Sequence, residues 1–159
     1  MAELLPQTRK FLWILTTDIE DLDVPRWRHF VPMLEILSDL VGAGVSVRIL
    51  HARETGPGFK RDFNKYPNLL SSRLFDRILC PRIDSKAIIV DGTRALVSSA
   101  NLTGAVLGAK RADQPNFEAS FLTTDTGHLQ NLMKCIDRLY LWEFCIKCQY
   151  RSVCSNPIM

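Results

Sequence analysis

The sequence predicts an α/β sandwich, a sheet with helices packed against it, and three patterns carry that expectation. Apolar, β-branched runs at 11–17 and 45–50 are separated by Phe30, Met33, Leu34, Leu37 and Val41 at helical spacing. A strand–helix–strand order of this kind implies parallel strands joined by a right-handed crossover. Two shorter apolar runs, 87–90 and 95–97, flank Asp91-Gly92, a dipeptide suited to a tight hairpin with positive φ. Finally, Leu129, Leu132, Met133, Ile136 and Tyr140 form the apolar stripe of a last helix.

Between these anchors the chain reads as follows. The acidic stretch 18–23 and Pro25 form a loop. The first helix is expected to start near Pro32, because proline is welcome in a first turn, and Gly42 and Gly44 end it. Gly56-Pro57-Gly58 marks a turn, and Lys60, Arg61, Lys65 and Arg73 give 53–75 a basic cast. With Arg77, Arg82, Lys110 and Arg111 these side chains either line a path for a polyanion or form an ordinary solvated surface, and both readings stay open. A short strand is expected at about 77–80, a loop with one helical turn at 104–115 and a strand at 117–122, with Asp125 as N-cap of the last helix.

With 159 residues, 47% hydrophobic and 23% charged, the chain is large enough for one domain with its own core. A net charge of +3 suits a phosphate-bearing partner without demanding one. No stretch approaches the roughly 18 apolar residues of a membrane span. The apolar run at 11–15 is followed by Asp18, Glu20, Asp21 and Asp23, which is unlike a signal peptide. The expected compartment is the cytoplasm.

Around the central hairpin lie three polar pairs, each two residues apart: Asp84 with Lys86, Ser99 with Asn101, and Asn116 with Glu118. Side chains two apart on a strand share a face. Three strand ends can therefore present one amine, two carboxylates, one hydroxyl and two amides to a common patch; the plainer alternative is that each pair faces water.

This run resembles the motif of the phospholipase D-like superfamily, His-x-Lys-x4-Asp followed by Ser-x-Asn and Asn-x-Glu. Lys86, Asp91, Ser99, Asn101, Asn116 and Glu118 fall at matching places, within the words Ile-Ile-Val-Asp-Gly and Ser-Ala-Asn-Leu-Thr-Gly. The likeness spans about 10–144 and implies a mixed β-sheet flanked by helices, with 145–159 as a separate cysteine-rich tail. In that family two motif copies face each other, one histidine attacks phosphorus and the other protonates the leaving group. One copy per chain implies a homodimer with the site on its twofold axis. The resemblance makes Lys86, Ser99, Asn101 and Asn116 phosphate ligands, and Asp91 and Glu118 supporting carboxylates.

One position departs: Asp84 stands where the family has its nucleophilic histidine. Two such carboxylates on a dimer axis would repel, raising at least one pKa, yet carboxylates do serve as nucleophiles elsewhere. The leading expectation is a phosphodiesterase or nuclease fold that acts on or binds phosphodiesters, nucleic acid foremost, with its chemistry impaired by Asp84. The alternatives are a non-catalytic nucleic-acid-binding module stabilised by an iron–sulfur cluster, and an active enzyme that uses Asp84. His29, His51 and His128 are not placed like the missing nucleophile.

The tail carries Cys145, Cys148 and Cys154 in Cys-x2-Cys-x5-Cys spacing. Three cysteines in ten residues of a cytoplasmic-type chain read as metal ligands rather than disulfides. A second Cys-x2-Cys knuckle, usual for zinc, is absent from the sequence. The spacing is similar to the iron–sulfur staple of RecB-like exonucleases, which implies a [4Fe–4S] cluster, with zinc as the alternative. A fourth thiolate is then needed. Cys80, at the mouth of the central strand, is the expected one, and Cys135, beside the last helix stripe, the other candidate.

Overall fold

The computed structural model describes residues 3–20, 22–26, 29–101 and 118–154. Its centre is β1 (Phe11–Thr16), whose Leu12 and Ile14 point to one layer while Trp13 and Leu15 point to the other. A strand buried on both faces has no polar side, which is why this segment reads as an unbroken apolar run. On one side β4 (Ser46–His51) runs parallel to it, and β5 (Phe75–Leu79) runs parallel to β4. On the other side β6 (Lys86–Val90), β7 (Arg94–Ser98) and β8 (Ser120–Thr123) follow, each antiparallel to its neighbour. The mixed sheet has the order β5-β4-β1-β6-β7-β8.

Helices cover both faces. α1 (Met33–Gly42) follows Pro32 as expected and buries Met33, Leu34, Ile36, Leu37, Leu40 and Val41. It ends in a Schellman turn: Gly44 adopts φ 86°, its N–H bonds the carbonyl of Val41, and the N–H of Val45 bonds that of Leu40. α2 (Pro57–Phe63) and α3 (Pro67–Ser71) pack Phe59 and Leu69 into the same layer. The opposite layer is α4 (Thr126–Tyr140), which packs Leu129 and Ile136 against Trp13, Leu15 and Ile89. Asp125 caps it, accepting from the N–H of His128 at 2.8 Å. Arg48 fastens α4 to the sheet, stacked over Trp13 and Tyr140 and bonded to Asp137 at 3.0 Å.

The hairpin turn is as its dipeptide predicts, with Asp91 at φ 54° and Gly92 at φ 66°. Space is also tight at Gly92, where a Cβ would meet the Phe11 ring at 3.3 Å and the ring would have to give way.

Four expectations need correction. The segment after β1 is not all loop: β2 (Asp23–Arg26) and β3 (His29–Pro32) form a separate antiparallel ribbon. Pro25 hid it, because proline inside a run argues against a strand unless the strand is peripheral. Phe30 accordingly lies on β3 and is 60% exposed, rather than joining the helix stripe. Gly56-Pro57-Gly58 opens α2 instead of a simple turn, with Pro57 in the first-turn position that tolerates it. The last strand begins at Ser120 and leaves Phe121 and Leu122 exposed, because it is the outermost strand of the sheet. Residues 104–115 and Phe117 lie outside the described residues.

Candidate functional site

The topology gathers the polar pairs at one edge of the sheet. The parallel strands β1, β4 and β5 end there at Thr16, His51 and Leu79. Because β6 and β8 run the opposite way, both begin at that edge, and β7 ends there. The carboxyl edge of parallel strands is where open α/β sheets bind their ligands. It receives Asp84, Lys86, Ser99, Asn101 and Glu118, as well as Thr17 from the end of β1. Asn116, Lys110 and Arg111 lie outside the described residues.

Two bonded groups form. In the first, Lys86 Nζ donates to the Asp84 carboxylate at 3.2 Å and to the Asp84 carbonyl at 3.1 Å, and Thr17 Oγ1 donates to the same carboxylate at 3.4 Å. Asp84 is 91% exposed at its side chain and Lys86 only 19%, so the carboxylate sits over the ammonium like a cap. The hydrogen bond and charge of Lys86, then the bond from Thr17, hold Asp84 below the usual carboxylate range. The repulsion expected between two such carboxylates belongs to a dimer; within one chain the shift runs the other way.

In the second group the Ser99 hydroxyl donates to Glu118 Oε2 and accepts from the N–H of Ala119 at 3.0 Å. The backbone repeats the link, with the Ser99 N–H on the Ala119 carbonyl at 2.9 Å. Asn101 stands beside this pair in sequence, and its Oδ1 is buried with no partner among the described residues. A buried amide oxygen of this kind accepts, and so can take a donor group of a ligand.

Asp91 is not brought to this edge. It lies at the far end of β6, about 16 Å from Lys86 along the strand. There it accepts from the backbone N–H groups of Arg9, Lys10 and Phe11 at 3.0, 2.7 and 3.0 Å. Partial burial opposes its charge, but these bonds outweigh it and its carboxyl stays below the ordinary range. It ties the hairpin to the start of β1 and orients no edge residue.

The basic side chains are largely engaged elsewhere. Arg61 and Lys65 both pair with Asp62, Lys60 pairs with Glu54, and Arg77 stacks over Phe59 and Phe63, its charge disfavoured by burial. Arg77 is thus taken up by packing, while Lys60, Arg61 and Lys65 remain on the exposed surface in pairs that water screens. His51 is 2% exposed at the end of β4, with Nδ1 against the Arg53 carbonyl at 2.7 Å, and burial lowers its pKa. It is a core histidine beside the edge.

At the corner of the same edge, Cys80, Cys145, Cys148 and Cys154 line one pocket, while Cys135 is exposed on α4 and outside it. Burial, and then the neighbouring Cys80, Cys148 and Cys154, push the Cys145 thiol up.

The family model described as cardiolipin synthase, PLD-like domain, matches residues 1–140. The chain belongs to the phospholipase D-like family. Solved structures agree in fold. NucT from Helicobacter pylori superposes with a TM-score of 0.64 at 14% identity, covering 88% of this chain and 84% of that one. Nuc from Salmonella typhimurium, a phospholipase D family member, gives 0.60 at 15%, covering 87% and 84%. TrmBL2, an archaeal chromatin protein with a novel mode of DNA binding, gives 0.58 at 11%, covering 88% of this chain and 46% of that one. No curated protein matches.

Within the phospholipase D-like fold, sequence reasoning missed Thr17. It follows the β1 run in a stretch read only as a strand end, and its bond to Asp84 spans 67 positions. Ser98 was also missed. It pairs with Lys86 across the hairpin, and its hydroxyl accepts from the Ala100 N–H at 3.0 Å, bending the chain toward Asn101.

Proposed function

We propose that this edge binds a phosphodiester, nucleic acid being the ligand class, in a homodimer that sets two copies of the edge face to face, and that Asp84 leaves hydrolysis impaired. The observation that carries this reading is the convergence of Lys86, Ser99 and Asn101 on one edge, with the Asp84 carboxylate at 3.2 Å from the Lys86 ammonium. Lys86 supplies the fixed cation a phosphate needs, and Ser99 and Asn101 supply hydroxyl and amide groups beside it. Asp84 competes with the phosphate for that cation. Held ionised by Lys86, it brings no proton for a leaving group and meets an anionic phosphodiester with like charge. The hydroxyl proton of Ser99 is committed to Glu118, so Ser99 positions a ligand oxygen through its lone pairs only after that bond rearranges.

The reading draws on family membership for phosphodiester chemistry and on the DNA binding of TrmBL2 for the ligand class. It places the protein in the cytoplasm, a compartment that suits five unpaired cysteines. The native chain is expected to show a dimer mass by light scattering. It should bind an oligonucleotide more weakly as salt rises, and hydrolyse bis-p-nitrophenyl phosphate only marginally in the presence of chelator. A monomer at working concentration would contradict the shared site. Rapid chelator-resistant hydrolysis would show instead that Asp84 is a working nucleophile.

A further inference from the structure

We propose that Cys80, Cys145, Cys148 and Cys154 together hold a [4Fe–4S] cluster that clips the tail onto the loop leading into β6. This inference is independent of what the neighbouring edge binds.

The tail after α4 is a series of turns closed every third residue. The N–H of Cys145 bonds the Trp142 carbonyl, Cys148 that of Cys145, Arg151 that of Cys148, and Cys154 that of Arg151, at 2.9, 3.1, 3.3 and 3.4 Å. Where bonds close over three residues, side chains at i and i+3 eclipse. These successive turns leave all three thiols, with Arg151 between them, lining the same pocket.

Cys80 faces them from the body of the fold. Its N–H bonds the His51 carbonyl at 2.8 Å, and its own carbonyl accepts from Ile83 at 3.0 Å, so the loop that carries it is fixed to β4. The remaining walls are Pro81, Leu139, Phe144 and Tyr150 with Arg82 and Arg151. Carboxylate and imidazole are absent from the lining; soft thiolates alone select iron–sulfur clusters or zinc. Arg82 Nη1 lies 4.0 Å from Cys148 Sγ and donates to the Phe144 carbonyl at 3.4 Å, which brings positive charge to a centre of four thiolates.

The four cysteines line one pocket. Among the described residues no group of three or more His, Cys, Asp or Glu is already drawn together around a single metal ion. A single zinc, with Zn–S bonds of about 2.3 Å, needs its four sulfurs drawn to roughly 3.8 Å of one another. A cubane sets each thiolate on a separate corner and so takes a wider ring of ligands.

The turn that starts the tail is a second, independent sign. α4 ends in the same Schellman pattern as α1, with Trp142 N–H on Leu139 and Glu143 N–H on Arg138, but the left-handed position is held by Trp142 at φ 63°. A bulky side chain is strained there where glycine is not. Such a conformation persists only where its surroundings over-determine it, and cluster ligation three residues later supplies that constraint.

On binding, the four thiols give up their protons and the cluster bridges positions 65 or more residues apart in sequence. Full-length protein, purified or reconstituted anaerobically with iron and sulfide, is expected to be brown and to carry about four iron and four sulfide per chain. Cys80→Ser should lose the cluster and Cys135→Ser should keep it. Stoichiometric zinc without sulfide, no uptake on reconstitution, or a folded Cys80→Ser that retains the full iron and sulfide content would overturn the proposal. Should Cys80→Ser fail to fold, the metal and sulfide content of the native chain decides alone.

Discussion

Asp84→His is expected to turn on chelator-resistant cleavage of bis-p-nitrophenyl phosphate at least about a hundredfold above the native chain, the scale of gaining one acid–base group. Three changes act together. The carboxylate that now caps Lys86 at 3.2 Å is removed, so the cation is free to hold a phosphate oxygen. An imidazole with a pKa near neutrality replaces a group held ionised, giving a nucleophile without negative charge. In the proposed dimer the second copy supplies the acid for the leaving group. Adding Lys86→Ala should abolish the gain, because the phosphate then lacks its fixed cation. A folded, dimeric Asp84→His that stays silent would show that the edge has lost more than its nucleophile.

Asp91→Ala should cost about 3 kcal/mol of stability. It leaves the N–H groups of Arg9, Lys10 and Phe11 without their charged acceptor, and such bonds are worth about 1.5–3 kcal/mol each where water cannot replace them. Only Phe11 is half-buried among the three, so the sum is well short of the maximum. Alanine at φ 54° adds about 1 kcal/mol, which Asp91→Asn avoids. Because the folded carboxyl lies below its usual range, its contribution is complete above about pH 4 and fades as pH falls through the folded value. Denaturant unfolding should therefore show the gap between native and Asp91→Asn narrowing below about pH 4. An equal gap at pH 3 and pH 7 would mean that the charge of Asp91 contributes nothing.

What the sequence showed and what it hid divide by range. The Asp91-Gly92 turn, the Asp125 cap and the Gly44 helix end are encoded in adjacent residues, and each is where it was expected. The reach of Thr17 to Asp84 and the stacking of Arg77 on Phe59 and Phe63 depend on which strands become neighbours. No local pattern contains that. Asp91 is a different case. The motif places it five residues from Lys86 on one strand, a spacing that already separates the two by a strand's length. Its assignment to the site came from the family pattern rather than from reach. The tail cysteines were grouped by their spacing and Cys80 was expected beside them from its place at the mouth of the central strand, whereas the β4–β5 pairing that carries it to the pocket was not legible.

The most direct test of phosphodiester binding at this edge is fluorescence anisotropy of a labelled oligonucleotide with native protein, Lys86→Ala and Asp84→Asn at one low salt concentration. Lys86→Ala should bind at least about tenfold more weakly, the loss of one charge-assisted contact. Asp84→Asn should bind more tightly than native, because Lys86 no longer has a competing carboxylate. If all three bind alike, nucleic acid does not use this edge.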